Sequence, residues 1–231
     1  MSLPGSSRAR WVVIAVGVGV LFTALVAAIG PYHQTREFRD AVVCHRDTGH
    51  CLHGEPGSIV GRRTYVTTHT HTDADGHTHT TTTTHYKITW QRADGSRQTR
   101  DVPSDFYDKT REGQPVTLRL WRGEIVAVEV TDAAQWFLPK SGGTLGTWLF
   151  VAFLGLGVAL WGLLFGWWDG LFMLVYRSFC WMFIAIMPVN ITVDVLAFDL
   201  NAGGGFIAAA VFGLFAALVA GRMLYHSIVD W

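Results

Sequence analysis

Charged residues are scarce in this chain, and outside one central segment they are almost absent. Asp, Glu, Lys and Arg make up 16% of the 231 residues, whereas soluble domains typically contain about 25%. The basic residues outside residues 31–143 are Arg8, Arg10, Arg177 and Arg222. Inside that segment fourteen basic and fourteen acidic residues balance each other. Because no excess positive charge is present to attract phosphates, we expect no nucleic-acid partner.

Sequence motifs of the common enzyme classes are missing as well. The chain contains no Gly-rich phosphate-binding loop, no HExxH zinc motif and no GxSxG nucleophile elbow. We therefore predict a protein that is not an enzyme and has no catalytic residue. We expect no cofactor, apart from a weakly bound divalent metal ion. The alternative is a hydrolase of envelope material whose residues are scattered along the chain.

Cysteine is also rare, with three residues in the whole sequence. Cys180 lies in a hydrophobic run, where we expect it to pack as a small apolar residue. Cys44 and Cys51 bracket the segment CHRDTGHC, and we predict a disulfide between them because thiols outside the cytoplasm tend to be oxidised. The alternative is a zinc site that adds nearby histidines, although the spacing matches no standard zinc knuckle. These histidines are His45, His50 and His53.

Hydrophobic residues, in contrast, form half of the chain and are concentrated in four long runs. Residues 11–30 contain no charge, and about twenty such residues cross a bilayer core of about 30 Å as a helix. We predict a transmembrane helix here, with a cleaved signal peptide as the alternative. The other predicted spans are residues 144–168, 178–198 and 203–222, with an interfacial segment at residues 169–177.

The basic residues outside the central segment predict the orientation. With four spans, Arg8, Arg10, Arg177 and Arg222 all fall on one side, and the positive-inside rule makes that side cytoplasmic. Residues 1–10 and 223–231 are then cytoplasmic, and residues 31–143 are extracytoplasmic. The predicted fold class is an α+β membrane protein. It has four transmembrane helices in contact with membrane lipid and a small extracytoplasmic antiparallel β domain between helices 1 and 2.

The central segment has the pattern of a small β domain. Five stretches are rich in β-branched and aromatic residues and are separated by Asp-Gly, Glu-Gly and Arg-Gly turns. They are SIVGRRTYV, HYKITWQ, SRQTRDV, PVTLRLW and EIVAVEV. We predict about five strands in an antiparallel sheet or barrel. A short helix or turn is expected within residues 104–111, and residues 31–43 are expected to continue the first helix.

One stretch, YVTTHTHTDADGHTHTTTTTHY at residues 65–86, contains five of the ten histidines and ten threonines. Its Asp73-Ala74-Asp75-Gly76 suits a type I turn followed by a glycine with positive φ, which makes a three-residue hairpin loop. Residues whose numbers sum to 150 then face each other, so that Val60 meets Trp90. The even positions form the predicted core face, which consists of Val60, Val66, Tyr86, Ile88 and Trp90.

The odd positions of this hairpin form the opposite face, because successive side chains in a strand alternate. His71 lies across from His79, close enough for two or three imidazoles to reach one Zn²⁺, Ni²⁺ or Cu²⁺ ion. The candidate metal ligands are His69, His71, His77 and His79. Three interpretations stay open: a solvated or partner-facing hairpin, adventitious or weak metal binding, and a functional metal-binding or pH-sensing site.

Small residues recur at every fourth position in two predicted spans. The rows are Ala15, Gly19, Thr23 and Ala27 in the first span, and Gly205, Ala209, Gly213, Ala217 and Gly221 in the fourth. Such rows allow helix backbones to approach closely where lipid provides no hydrophobic driving force. We therefore expect a packed four-helix bundle or a homo-oligomer formed through these helix faces.

The order of segments carries a family resemblance. An N-terminal membrane helix is followed by Gly57-Ser58-Ile59-Val60, by YKITWQRADGSRQT and by GQPVTLRLWRGEIVAVEV. Over about residues 11–165 this order resembles an uncharacterised bacterial family of membrane-tethered small β domains. The Gly/Ala/Trp-rich composition is similar to that of actinobacterial proteins. The resemblance implies no activity and no catalytic residue.

From these observations we expect a non-enzymatic integral membrane protein. Its extracytoplasmic β domain binds a protein or envelope partner while the helices anchor it. The second hypothesis is a metal- or pH-responsive module that uses the histidine-rich hairpin.

Overall fold

The computed structural model describes residues 7–73, 75–164, 171–199 and 204–229, and they form an α+β fold. Two compact units are present: a helical unit, of residues 1–46 and 138–231, and a sheet unit, of residues 47–137. The helices are α1 (Ser7–Thr48), α2 (Ser104–Asp108), α3 (Lys140–Leu164), α4 (Leu171–Phe198) and α5 (Gly204–Val229). The strands are β1 (His53–Thr72), β2 (Thr78–Arg92), β3 (Arg97–Val102), β4 (Pro115–Trp121), β5 (Glu124–Val130) and β6 (Ala133–Trp136).

Within the described residues, three helices are long and apolar enough to cross a membrane. Their apolar segments are Arg10–Thr48, Lys140–Leu163 and Val175–Phe198, and α5 contributes a shorter one, Ala210–His226. Large apolar side chains on these helices are exposed, among them Trp11 at 68%, Phe22 at 69% and Phe215 at 63%. Extended apolar surface of this kind is unfavourable in water and favourable against lipid. The helical unit is therefore consistent with a membrane protein.

The helices differ in extent from the predicted segments. Helix α1 contains residues 11–30 and continues to Thr48, which includes the expected extension over residues 31–43. Helix α3 begins at Lys140, four residues before the predicted start at residue 144, and the predicted end at residues 165–168 lies outside the described residues. So do residues 1–6, 169–170, 203 and 230–231 of the other predicted segments.

Helix α4 is continuous from Leu171 to Phe198. No break in the helix marks the predicted division between an interfacial segment, residues 169–177, and a third span, residues 178–198, and the apolar segment of α4 begins at Val175; the position of the division stays a prediction. The charge of Arg177 is the feature of the sequence that predicts the division. An arginine does not require a break in the backbone, because its long side chain can carry the charge away from the helix axis.

Helices α1 and α3 pack closely and antiparallel through glycine. A Cβ atom on Gly17 would lie 2.4 Å from the backbone nitrogen of Ala159, and one on Gly155 would lie 2.6 Å from that of Leu21. Both distances are below van der Waals contact, so any larger residue would separate the helices. Near the start of α1, Arg10 Nε donates a hydrogen bond to the Gly162 carbonyl at 2.9 Å. The beginning of α1 therefore lies beside the end of α3.

The glycine row predicted in α1 is not the one that makes this contact. A Cβ atom on Gly19 would meet no atom within 4 Å, whereas Gly17 is enclosed and Ala24 and Ala28 are buried at 1% and 6% exposure. The packing face of α1 thus lies about 160° around the helix from the predicted row, given about 100° per residue. Use of the Gly19 face by a second copy stays a prediction.

The row predicted in α5 does contact a neighbouring helix. A Cβ atom on Gly213 would lie 2.8 Å from the Cβ atom of Met187 in α4. Gly221, in the same row, would meet no atom within 4 Å. The side chains at positions 205 and 209 lie outside the described residues.

The sheet unit is one antiparallel sheet of six strands in the order β3-β2-β1-β4-β5-β6. The short strand β6 was not predicted. The core lies on one face, where Phe106 of α2 covers the buried strand residues. Its buried members include Ile59, Ile88, Trp90, Leu118 and Val128, all at 0% exposure. Strands β4 and β5 are joined at Arg122 and Gly123, whose φ angles of 52° and 80° are typical of a type I′ hairpin turn.

The predicted register of β1 and β2 is confirmed over most of the hairpin and wrong at its base. Residues summing to 150 face each other from Thr72 and Thr78 to Gly61 and Thr89. A β-bulge follows, so that Ile59, rather than Val60, faces Trp90. Ile59 is held there from outside the hairpin, because its N–H donates to the Gln114 carbonyl at 3.0 Å.

Two of the five predicted core residues are exposed. Val60 is 37% exposed because the bulge turns it away from the core, and Val66 is 56% exposed. Alternation along the strand predicts a core position for Val66, but β1 and β2 extend beyond the other strands of the sheet at this point, so no core is present to cover it. Ile88 and Trp90 are buried as predicted, and Tyr86 packs at the edge of the core.

Candidate functional site

The most distinctive surface of the sheet unit is a two-stranded extension of β1 and β2. Strand β4 pairs with β1 only as far as Ser58, and β3 pairs with β2 only from Tyr86 to Gln91. Within the described residues, the two long strands pair solely with each other beyond these points. We call residues 65–85 the ribbon. At about 3.3 Å per residue it extends about 25 Å from the sheet.

The base of the ribbon is fixed to the short helix α2 by Tyr107. The Tyr86 and Tyr107 rings lie 5.0 Å apart, and the guanidinium carbon of Arg62 lies 4.0 Å from the centre of the Tyr107 ring. Thr64 Oγ1 donates to the Tyr107 hydroxyl at 3.1 Å. Sequence patterns did not reveal this cluster, because Tyr107 is 43 residues away from Thr64.

The tip of the ribbon is the three-residue loop that the sequence predicts. Asp73 N–H donates to the His77 carbonyl at 2.9 Å, and Gly76 N–H donates to the Asp73 carbonyl at 3.1 Å. Gly76 has a φ of 84°, which a residue with a side chain rarely adopts. Asp73 Oδ1 also accepts hydrogen bonds from the N–H groups of Asp75, at 3.1 Å, and His77, at 2.8 Å. Ala74 lies outside the described residues.

The ribbon places the four predicted metal ligands on one face, which we call the histidine face. His71 lies directly across from His79, and His69 and His77 follow one row away on either side. All four residues are exposed. His79 Nε2 lies 3.4 Å from Asp73 Oδ2. Within the described residues, no three or more His, Cys, Asp or Glu side chains are grouped so as to hold a metal ion. Metal binding at these histidines therefore stays a prediction.

The same face continues towards the sheet with aromatic packing. The rings of Tyr65 and His85 are stacked, with centroids 4.6 Å apart and an angle of 11° between the planes. Lys87 Nζ lies 4.9 Å from the centre of the Tyr65 ring. This stack positions the part of the histidine face nearest to the sheet.

The opposite face of the ribbon consists mostly of threonine. Thr72 faces Thr78, with their hydroxyl oxygens 3.4 Å apart, and further Thr–Thr pairs follow towards the sheet. Threonine favours extended backbone because it is β-branched. This face buries no large apolar side chain, so β propensity and backbone hydrogen bonds hold the outer ribbon together.

Away from the ribbon, the two cysteines of CHRDTGHC are disulfide-bonded, and Cys180 is free and buried. A disulfide leaves neither Cys44 nor Cys51 with the thiolate that a zinc site requires. Thr48 Oγ1 lies 3.4 Å from the Cys51 sulfur.

A half-buried ion pair links β1 to β2 on the sheet. Arg92 Nη2 donates to Glu55 Oε2 at 2.6 Å, and Arg92 Nε lies 3.1 Å from Oε1. The hydrogen bond from Arg92 is the main cause that lowers the pKa of the Glu55 carboxyl group. Sequence patterns did not predict this pair, because its partners lie 37 residues apart.

Comparisons with protein-family models, with curated proteins and with solved structures found no match for this chain. The resemblance to membrane-tethered small β domains therefore stays an expectation.

Proposed function

We propose that this chain is an integral membrane protein with four spans that holds its sheet unit outside the cytoplasm. It acts by binding rather than by catalysis, and the ribbon is its binding element for a protein partner. The helices supply the anchor.

One observation supports the fourth span, and another supports the orientation of α1 and α3. Helix α5 has 26 residues, which at 1.5 Å per residue are enough for a bilayer core of about 30 Å. The contact between Arg10 and Gly162 brings the beginning of α1 and the end of α3 to the same level. Both ends then belong on one side of the membrane, as the distribution of basic residues requires.

The ribbon carries the proposal of a binding function. A two-stranded hairpin without further strands is marginally stable in water, and ordering its residues costs conformational entropy. The ribbon regains little of this cost by burial, because most of its described side chains are exposed and none is buried. Its rigid base and its length suit a segment that becomes covered when a partner binds.

The ribbon edges show how such a partner can bind. Residues 64–72 and 78–86 contain no Asp, Glu, Lys, Arg or Pro, the residues with which proteins usually protect exposed strand edges. The outward-pointing N–H and C=O groups of both strands can therefore pair with a further strand. Strand addition of this kind obtains its affinity from main-chain hydrogen bonds.

Site-specific photo-cross-linking in intact cells tests the proposal. A photoreactive amino acid in place of Thr81, on the ribbon, should form a defined adduct with a protein. The same group in place of Ser96, in the exposed β2–β3 turn, should not.

A shortened ribbon provides the matched control. Deleting residues 67–72 and 78–83 removes facing pairs and preserves the register and the loop. This chain should no longer retain the protein that the Thr81 adduct identifies. Equal adducts at both positions, or full retention by the shortened chain, would contradict the proposal.

A second function, response to a metal ion, is favoured by the facing pair of His71 and His79. It is compatible with partner binding, because the histidines lie on one face of the ribbon whereas a further strand would pair at its edges.

A further inference from the structure

The histidine face of the ribbon provides two metal ligands in a fixed relation. His71 and His79 face each other on neighbouring strands, and directly opposed Cβ atoms in a sheet lie about 4.5–5.5 Å apart. Imidazole nitrogens bind Zn²⁺ at about 2.0–2.1 Å, so both rings can reach one ion between them. When the two strands are paired, the ion orders mainly the two histidine side chains, and its binding in turn stabilises the paired ribbon.

A single ribbon does not complete a zinc site. Zn²⁺ in structural sites almost always has about four protein ligands, and the described residues contain no group of three or more candidate ligands. His69 and His77 lie one row away, about 6.5–7 Å along their strands. Asp73, which faces His77, already accepts two backbone hydrogen bonds through Oδ1.

We propose that a divalent transition-metal ion such as Zn²⁺ is bound between two copies of this chain, each of which contributes His71 and His79. The proposal rests on the proposed binding function of the ribbon, and it names a second copy as a partner. A two-fold axis through the ion would place two identical histidine pairs around it in a tetrahedral set, as the symmetry of homodimers permits.

The surroundings of the pair suit a cation that two ribbons share. Residues 65–85 contain no Lys or Arg, so no fixed positive charge within the ribbon opposes the ion. The Asp73 carboxylate lies 3.4 Å from His79 Nε2, where it can orient the ring as carboxylates do for metal-bound histidine. Beside the pair on this face, Thr81 lies across from His69 and is small, which leaves room on the β2 side for the histidine pair of a second ribbon.

The test uses the full chain in detergent, with an affinity tag that contains no histidine. After treatment with EDTA, zinc chloride is titrated by calorimetry, and the mass of the protein part of the complex is followed by light scattering. We expect about one zinc ion for two chains, with dimers forming only when zinc is present. His71→Ala and His79→Ala should each weaken binding by about tenfold or more, because each removes two of four ligands from the dimer.

His85→Ala is the matched control, because His85 lies on the same face but stacks on Tyr65. It should bind zinc within about twofold of the unchanged chain. One zinc ion for each chain, no dimer at about 0.1 mM zinc, or equal losses in all three variants would overturn the proposal. The photo-cross-link from Thr81 to another protein, if it persists in EDTA, would still support the proposed function. The two proposals can therefore fail separately.

Discussion

Replacing Ile88 with threonine measures how firmly the base of the ribbon is held by the sheet core. Ile88 has 0% exposure and packs among the core residues of the sheet. Loss of its apolar atoms costs about 0.5–1.5 kcal/mol, as for Ile→Val in other cores. A hydroxyl without a partner in the core adds about 1–3 kcal/mol. Because threonine is itself a good strand former, β propensity contributes little. We expect Ile88→Thr to destabilise the sheet unit by about 2–4 kcal/mol.

Val66→Thr is the matched control, because it introduces the same residue on the same strand pair. Val66 is 56% exposed, and exposed substitutions usually change stability by less than about 0.5 kcal/mol. The two variants thus separate the core at the base of the ribbon from its solvated outer part.

Amide hydrogen exchange of the full chain in detergent, read by mass spectrometry, provides the assay. At about 1.4 kcal/mol for each factor of ten, Ile88→Thr should accelerate exchange of the protected β2 amides about thirtyfold or more. Val66→Thr should change it about twofold or less. Equal acceleration by the two variants would refute the register and the burial described for β1 and β2.

Three further predictions concern other parts of the chain. Mapping of non-reduced peptides should find Cys44 joined to Cys51, and two free thiols would reject the disulfide. Because an arginine hydrogen bond lowers the pKa of the Glu55 carboxyl group below its ordinary value, the pair stabilises the folded state above the ordinary glutamate pKa and loses this effect as the pH falls through the lowered pKa. Glu55→Gln should therefore reduce the stability loss seen in acid denaturation, and an unchanged acid transition would argue against this role. In detergent unfolding, Gly155→Leu should destabilise the helical unit by about 1–3 kcal/mol. Gly19→Leu should not, because no atom lies within 4 Å of a Cβ atom at this position. Equal effects of the two variants would contradict the α1–α3 contact.

Local chemistry made the hairpin tip predictable from the sequence. The Asp-Ala-Asp-Gly segment alone specifies a loop with a positive φ at Gly76, and the loop determines that His71 faces His79. The long apolar runs similarly predict helices, because hydropathy and length need no knowledge of the tertiary fold.

Features that depend on distant residues were not predictable in the same way. The bulge at the base of the hairpin places Ile59, and not Val60, in the core because Ile59 is hydrogen-bonded to Gln114. The contact face of α1 is set by the positions of Gly155 and Ala159 in α3. Alternation and small-residue spacing describe one segment at a time, so they do not show which neighbour covers it.

Cysteine accessibility in intact cells tests most directly the central claim, that the sheet unit and its ribbon lie outside the cytoplasm. Ser96→Cys places a thiol in the exposed turn between β2 and β3, and Asp230→Cys places one in the expected cytoplasmic C-terminus. A membrane-impermeant maleimide should label the first variant in intact cells and the second only after permeabilisation. Labelling of Asp230→Cys in intact cells, with Ser96→Cys protected until permeabilisation, would contradict the claim.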